Sequence, residues 1–495
     1  MARSTESVDV IVVGAGAAGC VVGRRLADRG LGVLVLEAGP ALPDPVPDAW
    51  RDSWRLPTVP DWDYTSEPAG GADGKKLRRG RLVGGTSWLT RFAVRGSPAD
   101  FDTWADAGLS GWAFDDALPV FRQVEADAEF GDQPWHGDSG PIPITRYPDL
   151  PRSPIHEAAI AAFDAVGIPA VKDHNAPGAI GAGPMPMSSR AGQRVTTADA
   201  YLAAGHLAGR LDIRTGAPVA SVLFEADRAI GTRLVDGTTV SSGRVVLAAG
   251  TYGSPTVLMR SGIGPADHLR ERRVRVVRDV PGVGSNLADH PGVELDSGWR
   301  GHGTTGAVLH TIATLRSSSA VADGPPDLMF WVSDPDGDDD GLYLDPILLK
   351  PESRGSVRLR PSDPGDAPVI TLPGIQASSD LERLAEGYRR GLELASQDGI
   401  RRLATKSPPS EPATEAELQQ RIRDNAYSIP HVVGTCAMGT SVEAGAVVDT
   451  DGRVHGIDGL SVIDASIIPE PPSGFPHLIT IVVAERLAAR LGSSF

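Results

Sequence analysis

Lysine is nearly absent: five of the 47 basic residues are lysine and the rest are arginine, while Ala, Gly, Pro and Asp are abundant, the signature of a GC-rich bacterial coding sequence. Cysteine is rarer still. Cys20 and Cys436 are too few for a disulfide framework, their spacing suits no metal site, and both are expected as buried thiols. No basic run is longer than "KKLRRGR" (75 to 81), and the net charge is −16, so the cationic stripe that nucleic acid requires is missing. No uncharged stretch reaches the 18 residues of a membrane span. The opening "MARSTESVDVIVVGAG" runs straight into a strand-like segment without a signal-peptide core, from which a cytoplasmic location is expected. Internal repeats are lacking too.

What remains is a chain of 495 residues, 41% hydrophobic, long enough for two to four domains' worth of core and suited to a small-molecule enzyme. Its first strong signal is "VDVIVVGAGAAGCVVGRRLADRGLGVLVLEAG". A β run from Val8 to Val13 meets Gly14-Ala15-Gly16-Ala17-Ala18-Gly19, then a helix, then a second strand ending at Glu37. In such a βαβ unit Gly14 permits the tight turn, Gly16 lets the backbone approach a pyrophosphate, and Gly19 brings helix and strand together. The helix N-terminus offers N–H groups to the phosphates, and Glu37 is placed for the ribose hydroxyls. This predicts dinucleotide binding without deciding between NAD and FAD.

Other small-residue turns follow. "RRGRLVGGTSW" (78 to 88) sets Gly84 and Gly85 side by side, as a second backbone segment beside a cofactor would require. "SSGRVVLAAGTYGSPTVLMRSGIGP" (241 to 265) reads as buried strand, turn and helix, and "GLSVIDASIIPE" (459 to 470) as a strand ending at Asp464. Several turns thus converge on the mouth of one parallel sheet, which suits a long cofactor. Two histidines out of only 11 complete the pattern: His431 in "HVVGTCAMG", and His477 in "PPSGFPHLITIV", where a helix is predicted to begin near Pro476.

These segments, with "FDTWADAGLSGWAFDDALPVFRQVE" (101 to 125) and "KPESRGSVRLRPSDP" (350 to 364), resemble in order and content the glucose-methanol-choline (GMC) oxidoreductases over nearly the whole chain. The resemblance implies an α/β fold: a Rossmann-like FAD-binding domain with a smaller α+β substrate domain built on an antiparallel sheet. It implies FAD contacts from Gly14, Gly16, Ala17, Ala18, Gly19, Glu37, Ala38, Gly84, Gly85, Thr86, Val219, Ala249, Gly250, Asp464, Ala465, His477, Leu478 and Ile479. It makes His431 and His477 the catalytic pair, a substrate pocket is expected near Trp88, Thr90, Arg91 and Ile429, and no metal is implied.

The chemistry explains the pair. Moving a hydride from R–CH2–OH to flavin N5 becomes easy as the hydroxyl loses its proton, and a neutral imidazole suits that task. His431 is the expected general base, and His477 is expected to stabilise the alkoxide-like oxygen. The helix after Pro476 would turn its N–H groups to the flavin N1/O2 edge. The expected partners are an alcohol substrate and oxygen or another electron acceptor.

The chain also departs from the family pattern. Relatives commonly read "YHPVGT" where Pro430-His431-Val432 stand, and Gly85-Thr86-Ser87-Trp88-Leu89-Thr90 replaces "GGSS" followed by Ile-Asn, one residue shorter before Arg95-Gly96. Leu89 occupies the position of a flavin-linked histidine in some relatives, so FAD is expected to be non-covalent. Trp88 and Arg91 either shape substrate choice or serve packing and a surface salt bridge.

From about Gly292 to Tyr427 the pattern changes to alternating strands ("PDLMFWVSD", "LYLDPILLK", "GSVRLRPSD"), then helical "SSDLERLAEGYRRGLELASQ" and a helix capped by Thr414. "DPDGDDDG" (334 to 341) begins like an EF-hand loop, but Ile347 stands at its twelfth position, so a solvated acidic loop is expected. The expected domains are 1–291, mainly FAD-binding with substrate-side insertions near 95–190; 292–430, substrate-binding; and 431–495, a return to the FAD domain. A hydroxynitrile-lyase-like enzyme with redox-silent FAD, or a non-catalytic flavin-binding protein, is the alternative.

Overall fold

The computed structural model describes residues 8–67, 74–202, 209–301, 306–334, 341–360, 365–407, 409–410 and 412–492. Val10–Val13, an uninterrupted β-branched run, is buried on both faces and sits at the centre of a five-stranded parallel sheet. Its neighbours are Val33–Leu36 and Val245–Leu247, and Leu211–Arg214 and Leu460–Val462 form the edges. The helix Ala17–Asp28 packs against the C-terminal helix Pro476–Gly492. Arg25 and Glu485 join the two at 2.7 Å. At the carboxyl end of this sheet three strands run into Gly14, Ala248-Ala249-Gly250 and Asp464, the place where open parallel sheets take their ligands.

The second sheet has six antiparallel strands in the order Ala426–Val433, Ala288–Val293, Asp345–Leu348, Leu328–Ser333, His310–Leu315, Gly181–Pro184. Period-two alternation sorts its side chains. Leu328, Phe330 and Val332 pack with the helices Pro154–Ala165 and Ser378–Ala395, whereas Met329 and Trp331 join Ile312, Ile347, Ile429 and Phe475 on the face turned toward the FAD half. The sheet gathers chain from separate regions: Ala288–Val293 runs across the 291/292 boundary, Ala426–Val433 passes beyond 430, and Gly181–Pro184 comes from the 95–190 region.

"GSVRLRPSD" contributes Ser356–Arg358, which among the described residues forms a two-stranded ladder with Val369–Thr371, apart from the six-stranded sheet. Its start is tied elsewhere, by Gly355 N–H to Leu287 O and Val357 N–H to Gly284 O. Thr414 caps Glu415–Asn425 in a reciprocal box with Glu417. Residues 335–340 of the acidic loop lie outside the described residues; Asp334, which precedes them, accepts from Leu309 N–H and lies 2.9 Å from His156 Nε2. Cys20 and Cys436 are buried free thiols. Among the described residues no helix is long and apolar enough to cross a membrane.

Candidate active site

The glycines of the first turn do different jobs. A Cβ on Gly14 (φ +98°) would come within 2.6 Å of Ala248 O, and one on Gly19 within 1.9 Å of Gly14 O, so both are needed for close packing. A Cβ on Gly16 would meet nothing within 4 Å: the backbone there opens onto space. The helix beginning at Ala17 has no side-chain cap and no acidic residue in its first turn, leaving the N–H groups of Ala17, Ala18 and Gly19 for an anion. Gly84 N–H donates to Ala15 O at 2.7 Å, and a Cβ on Gly85 would lie 2.7 Å from Gly16 Cα, so the two backbone segments touch.

Glu37 accepts from Ala15 N–H (2.8 Å) and Gly39 N–H (2.7 Å), and burial raises its carboxyl above the usual range. The carboxylate therefore orients two loops while retaining lone pairs for a ribose. Ala217 N–H donates to Glu37 O at 2.8 Å, which brings the start of strand Val219–Glu225 beside Glu37 and Ala38. Asp464 accepts from Gly250 N–H and Ser466 N–H, both at 2.8 Å, and so fastens the Ala249-Gly250 turn to Ala465. Gly14, Gly16, Ala17, Thr86, Ala249, Gly250, Ala465 and His477 all keep accessible surface although the strands behind them are buried. This groove, with a phosphate-ready helix end, an oriented carboxylate and a run of small residues, fits FAD.

His431 is turned out of its strand. His290 pairs with Ile429 and Ala288 with Val433, so two steps on one strand face four on the other, a bulge that re-aims the intervening side chains. Pro430 lies in this edge strand, where a missing N–H is tolerated, and Arg79 donates to its carbonyl at 3.2 Å. Asp289 Oδ1 accepts from His431 N–H at 2.8 Å and its other oxygen from the Ser428 hydroxyl; burial pushes this carboxyl up to about 7. The His431 ring packs on Phe475, centroids 4.4 Å apart, and His477 follows two residues later in the first turn of the C-terminal helix.

Both histidines lie deep yet retain accessible surface. Desolvation, then His290 and Arg79, holds the His431 imidazole well below its ordinary pKa. Desolvation and then Arg194 lower His477 to about 4. Both are therefore neutral at pH 7.

Of the expected pocket residues, Ile429 is buried against Phe475, and Trp88 is fully enclosed, its Nε1–H donating to Val83 O at 2.8 Å within a cluster of Val59 and Leu82. The Thr90 carbonyl accepts from Arg194 at 2.6 Å. Arg91 is buried rather than at the surface, with Nη2 3.0 Å from His310 Nε2 and its guanidinium over Phe92 at 4.9 Å. Phe92, Trp331 and Phe475 form a box of rings beside His431, with centroid separations of 4.9, 5.6 and 5.9 Å.

Sequence reasoning did not reach Asp289, His290, Arg79, Arg194, His310 or this aromatic box. The available signal was "NLADHPGV", an acid and a histidine inside a strand whose six residues are all buried. The box joins residues from three distant segments, which no local pattern reveals.

Known proteins share this fold over nearly the whole chain. Residues 8–292 and 351–484 match the N- and C-terminal family models described as GMC oxidoreductase. The chain is 32% identical to a 5-(hydroxymethyl)furfural oxidase from Methylovorus sp., covering 97% of this chain and 98% of that one. It is 30% identical to an oxygen-dependent choline dehydrogenase from Photobacterium profundum, covering 98% and 93%. Its fold superposes on the crystal structure of pyridoxine 4-oxidase from Mesorbium loti with a TM-score of 0.88 at 32% identity, covering 98% and 99%. The chain belongs to the GMC oxidoreductase family and is an FAD-dependent alcohol oxidoreductase.

Proposed function

We propose that the protein oxidises a primary or secondary alcohol to the carbonyl, favouring a hydroxymethyl group on a flat aromatic ring, with His431 as general base and His477 stabilising the substrate oxygen. The observation that carries this reading is the packing of the His431 ring on Phe475, two residues before His477, both histidines lying deep with some surface left open. Bound FAD supplies the hydride acceptor. His431 takes the hydroxyl proton, and its low pKa keeps it unprotonated and ready at neutral pH. His477 donates a hydrogen bond to the oxygen as negative charge grows there. Leu89 offers no nucleophile, so FAD is held without a covalent link.

Two features support the substrate class. The ring box of Phe92, Trp331 and Phe475 suits a planar apolar body, since aromatic pairs contribute roughly 0.5–1.5 kcal/mol beyond area burial. Arg79 lies near His431, Arg194 near His477 and Arg91 against His310 at the aromatic box, and the carboxyl that faces this group, Asp289, is raised by burial and held by the backbone N–H groups of His290 and His431, so the balance of charge is cationic. A quaternary ammonium alcohol would be repelled there. The oxidase names of two relatives support oxygen as the acceptor, giving aldehyde and hydrogen peroxide from alcohol and O2.

The test is anaerobic mixing of the yellow holoenzyme with hydroxymethyl arenes and with choline. The arenes should bleach the flavin and choline should not, and air should restore the colour with release of peroxide. Conversion of substrate without bleaching would replace this reading with the lyase.

A further inference from the structure

His290 is fully buried in the strand Ala288–Val293, and both of its ring nitrogens are engaged. Nε2 lies 3.1 Å from Pro472 O. A carbonyl oxygen only accepts, so Nε2 carries the hydrogen. Nδ1 lies 3.1 Å from Nδ1 of His431, with the two rings at 88°. A hydrogen bond between two nitrogens needs one donor and one acceptor. A neutral His290 already protonated at Nε2 has only a lone pair to offer at Nδ1, which makes His431 the donor. The proton of His431 is then committed to Nδ1, and Nε2 of His431 is left bare.

The neutrality of His290 follows from its surroundings. Desolvation, then the Lys350 ammonium, holds it to about 4. Lys350 is itself held by Asp100 Oδ1 (3.0 Å) and Pro471 O (2.7 Å), and Arg79 contributes positive charge on the His431 side. The nearest carboxylate in sequence, Asp289, is occupied by the backbone N–H groups of His290 and His431 at 2.8 Å each, so it leaves the imidazoles alone.

We infer that His290 is a positioning residue that fixes His431 in the Nδ1–H tautomer, so that Nε2 presents its lone pair toward the substrate hydroxyl. The arrangement Pro472 O, His290, His431 is a one-way chain of donors ending in a base. Setting the tautomer of a catalytic imidazole through the partner of its other nitrogen is a strong lever, since a wrongly set tautomer costs up to about 10⁴-fold in a serine protease triad. This inference rests on the reading of His431 as the base.

Nitrogen-15 NMR of histidine-labelled holoenzyme near pH 7.5 reads the tautomer directly. With His431→Asn to assign the signal, His431 should show a protonated Nδ1 and an unprotonated Nε2. His290→Leu removes the acceptor and should lose Nδ1 protonation, and flavin reduction should slow by roughly 10- to 10³-fold with little change in KM, within the range of a positioned base. His290→Asn restores an acceptor oxygen near the old Nδ1 position and should recover most of the rate. A wild-type His431 protonated at Nε2 overturns the inference even if His290→Leu does not fold, as does a folded His290→Leu that keeps the wild-type tautomer and rate. If His431 has the Nδ1–H form and His431→Ala still reduces its flavin at the wild-type rate, the tautomer assignment stands and the base assignment falls.

Discussion

Phe475 and His431 face each other with ring centroids 4.4 Å apart and planes inclined by 38°. Phe475 is also anchored by its N–H to Val94 O at 3.0 Å. This contact locks the start of the C-terminal helix to the bulged strand from the six-stranded sheet. It therefore sets how far His477 stands from His431, two side chains 46 positions apart in the chain (477 − 431).

Phe475→Leu should keep the fold, because an apolar side chain still fills the site. It should raise KM for a hydroxymethyl arene by about tenfold, which corresponds to roughly 1.4 kcal/mol of lost ring contact. Steady-state kinetics on aromatic and aliphatic alcohols checks it: an equal rise for both would show that the ring box does not select the substrate.

The pH profile follows from the sign of the shifts. His431 is held well below its ordinary value and His477 at about 4, so both remain unprotonated as pH falls through 6.5. Because Asp289, bonded to His431 N–H, is pushed up to about 7 by burial, the clean readout is Asp289→Asn, whose amide oxygen still accepts that N–H: its flavin-reduction rate should stay level from pH 7.5 to 5.5. An imidazole at its ordinary value would instead lose about tenfold by pH 5.5, and such a decline with a midpoint near 6.5 would contradict the burial argument.

His477→Asn should keep most of the activity, because an amide still donates to the substrate oxygen. His477→Ala should lose about 10²-fold in the reduction rate, the usual effect of removing one such donor. Equal rates for the two variants would mean that no hydrogen bond is made at this position.

Two glycine variants separate cofactor space from packing. Gly16→Val projects into open space from an extended backbone (φ −76°), so the apoprotein should melt near the wild-type temperature yet bind FAD at least 10²-fold more weakly. Gly19→Ala would drive a Cβ to 1.9 Å from Gly14 O and should destabilise the apoprotein itself. Differential scanning calorimetry with FAD titration reads both effects, and FAD binding unchanged in Gly16→Val would remove this groove as the cofactor site.

Much of this was legible in the chain because local pattern and chemistry coincide. The run Val10–Val13 followed by Gly14, Gly16 and Gly19 has few alternatives to a parallel strand entering a phosphate-binding helix, and Pro476 marks a helix start. The pattern through Leu328–Ser333 likewise announced an antiparallel strand. His290 and Arg194 were not legible, since their roles depend on which distant atoms they meet. Nothing local says that His290 faces His431, 141 positions on, or that four backbone carbonyls, from Trp50, Asp52, Arg55 and Thr90, hold Arg194 beneath His477. Arg91 read either as shaping substrate choice or as a surface salt bridge, and only the packing of Phe92 and His310 around it removes the surface reading.

The most direct test of the account is the anaerobic reduction rate of His431→Ala, measured by stopped flow with an α-deuterated hydroxymethyl arene and its unlabelled form. The variant should bind one FAD as the wild type does, since none of the groove's contacts pass through this side chain. Its reduction rate should fall by roughly 10²- to 10⁴-fold, recovering in part as rising pH lets solvent remove the hydroxyl proton, and deuterium should slow both proteins. A His431→Ala enzyme that bleaches at the wild-type rate would contradict the account, and would leave the proton to be taken by another group.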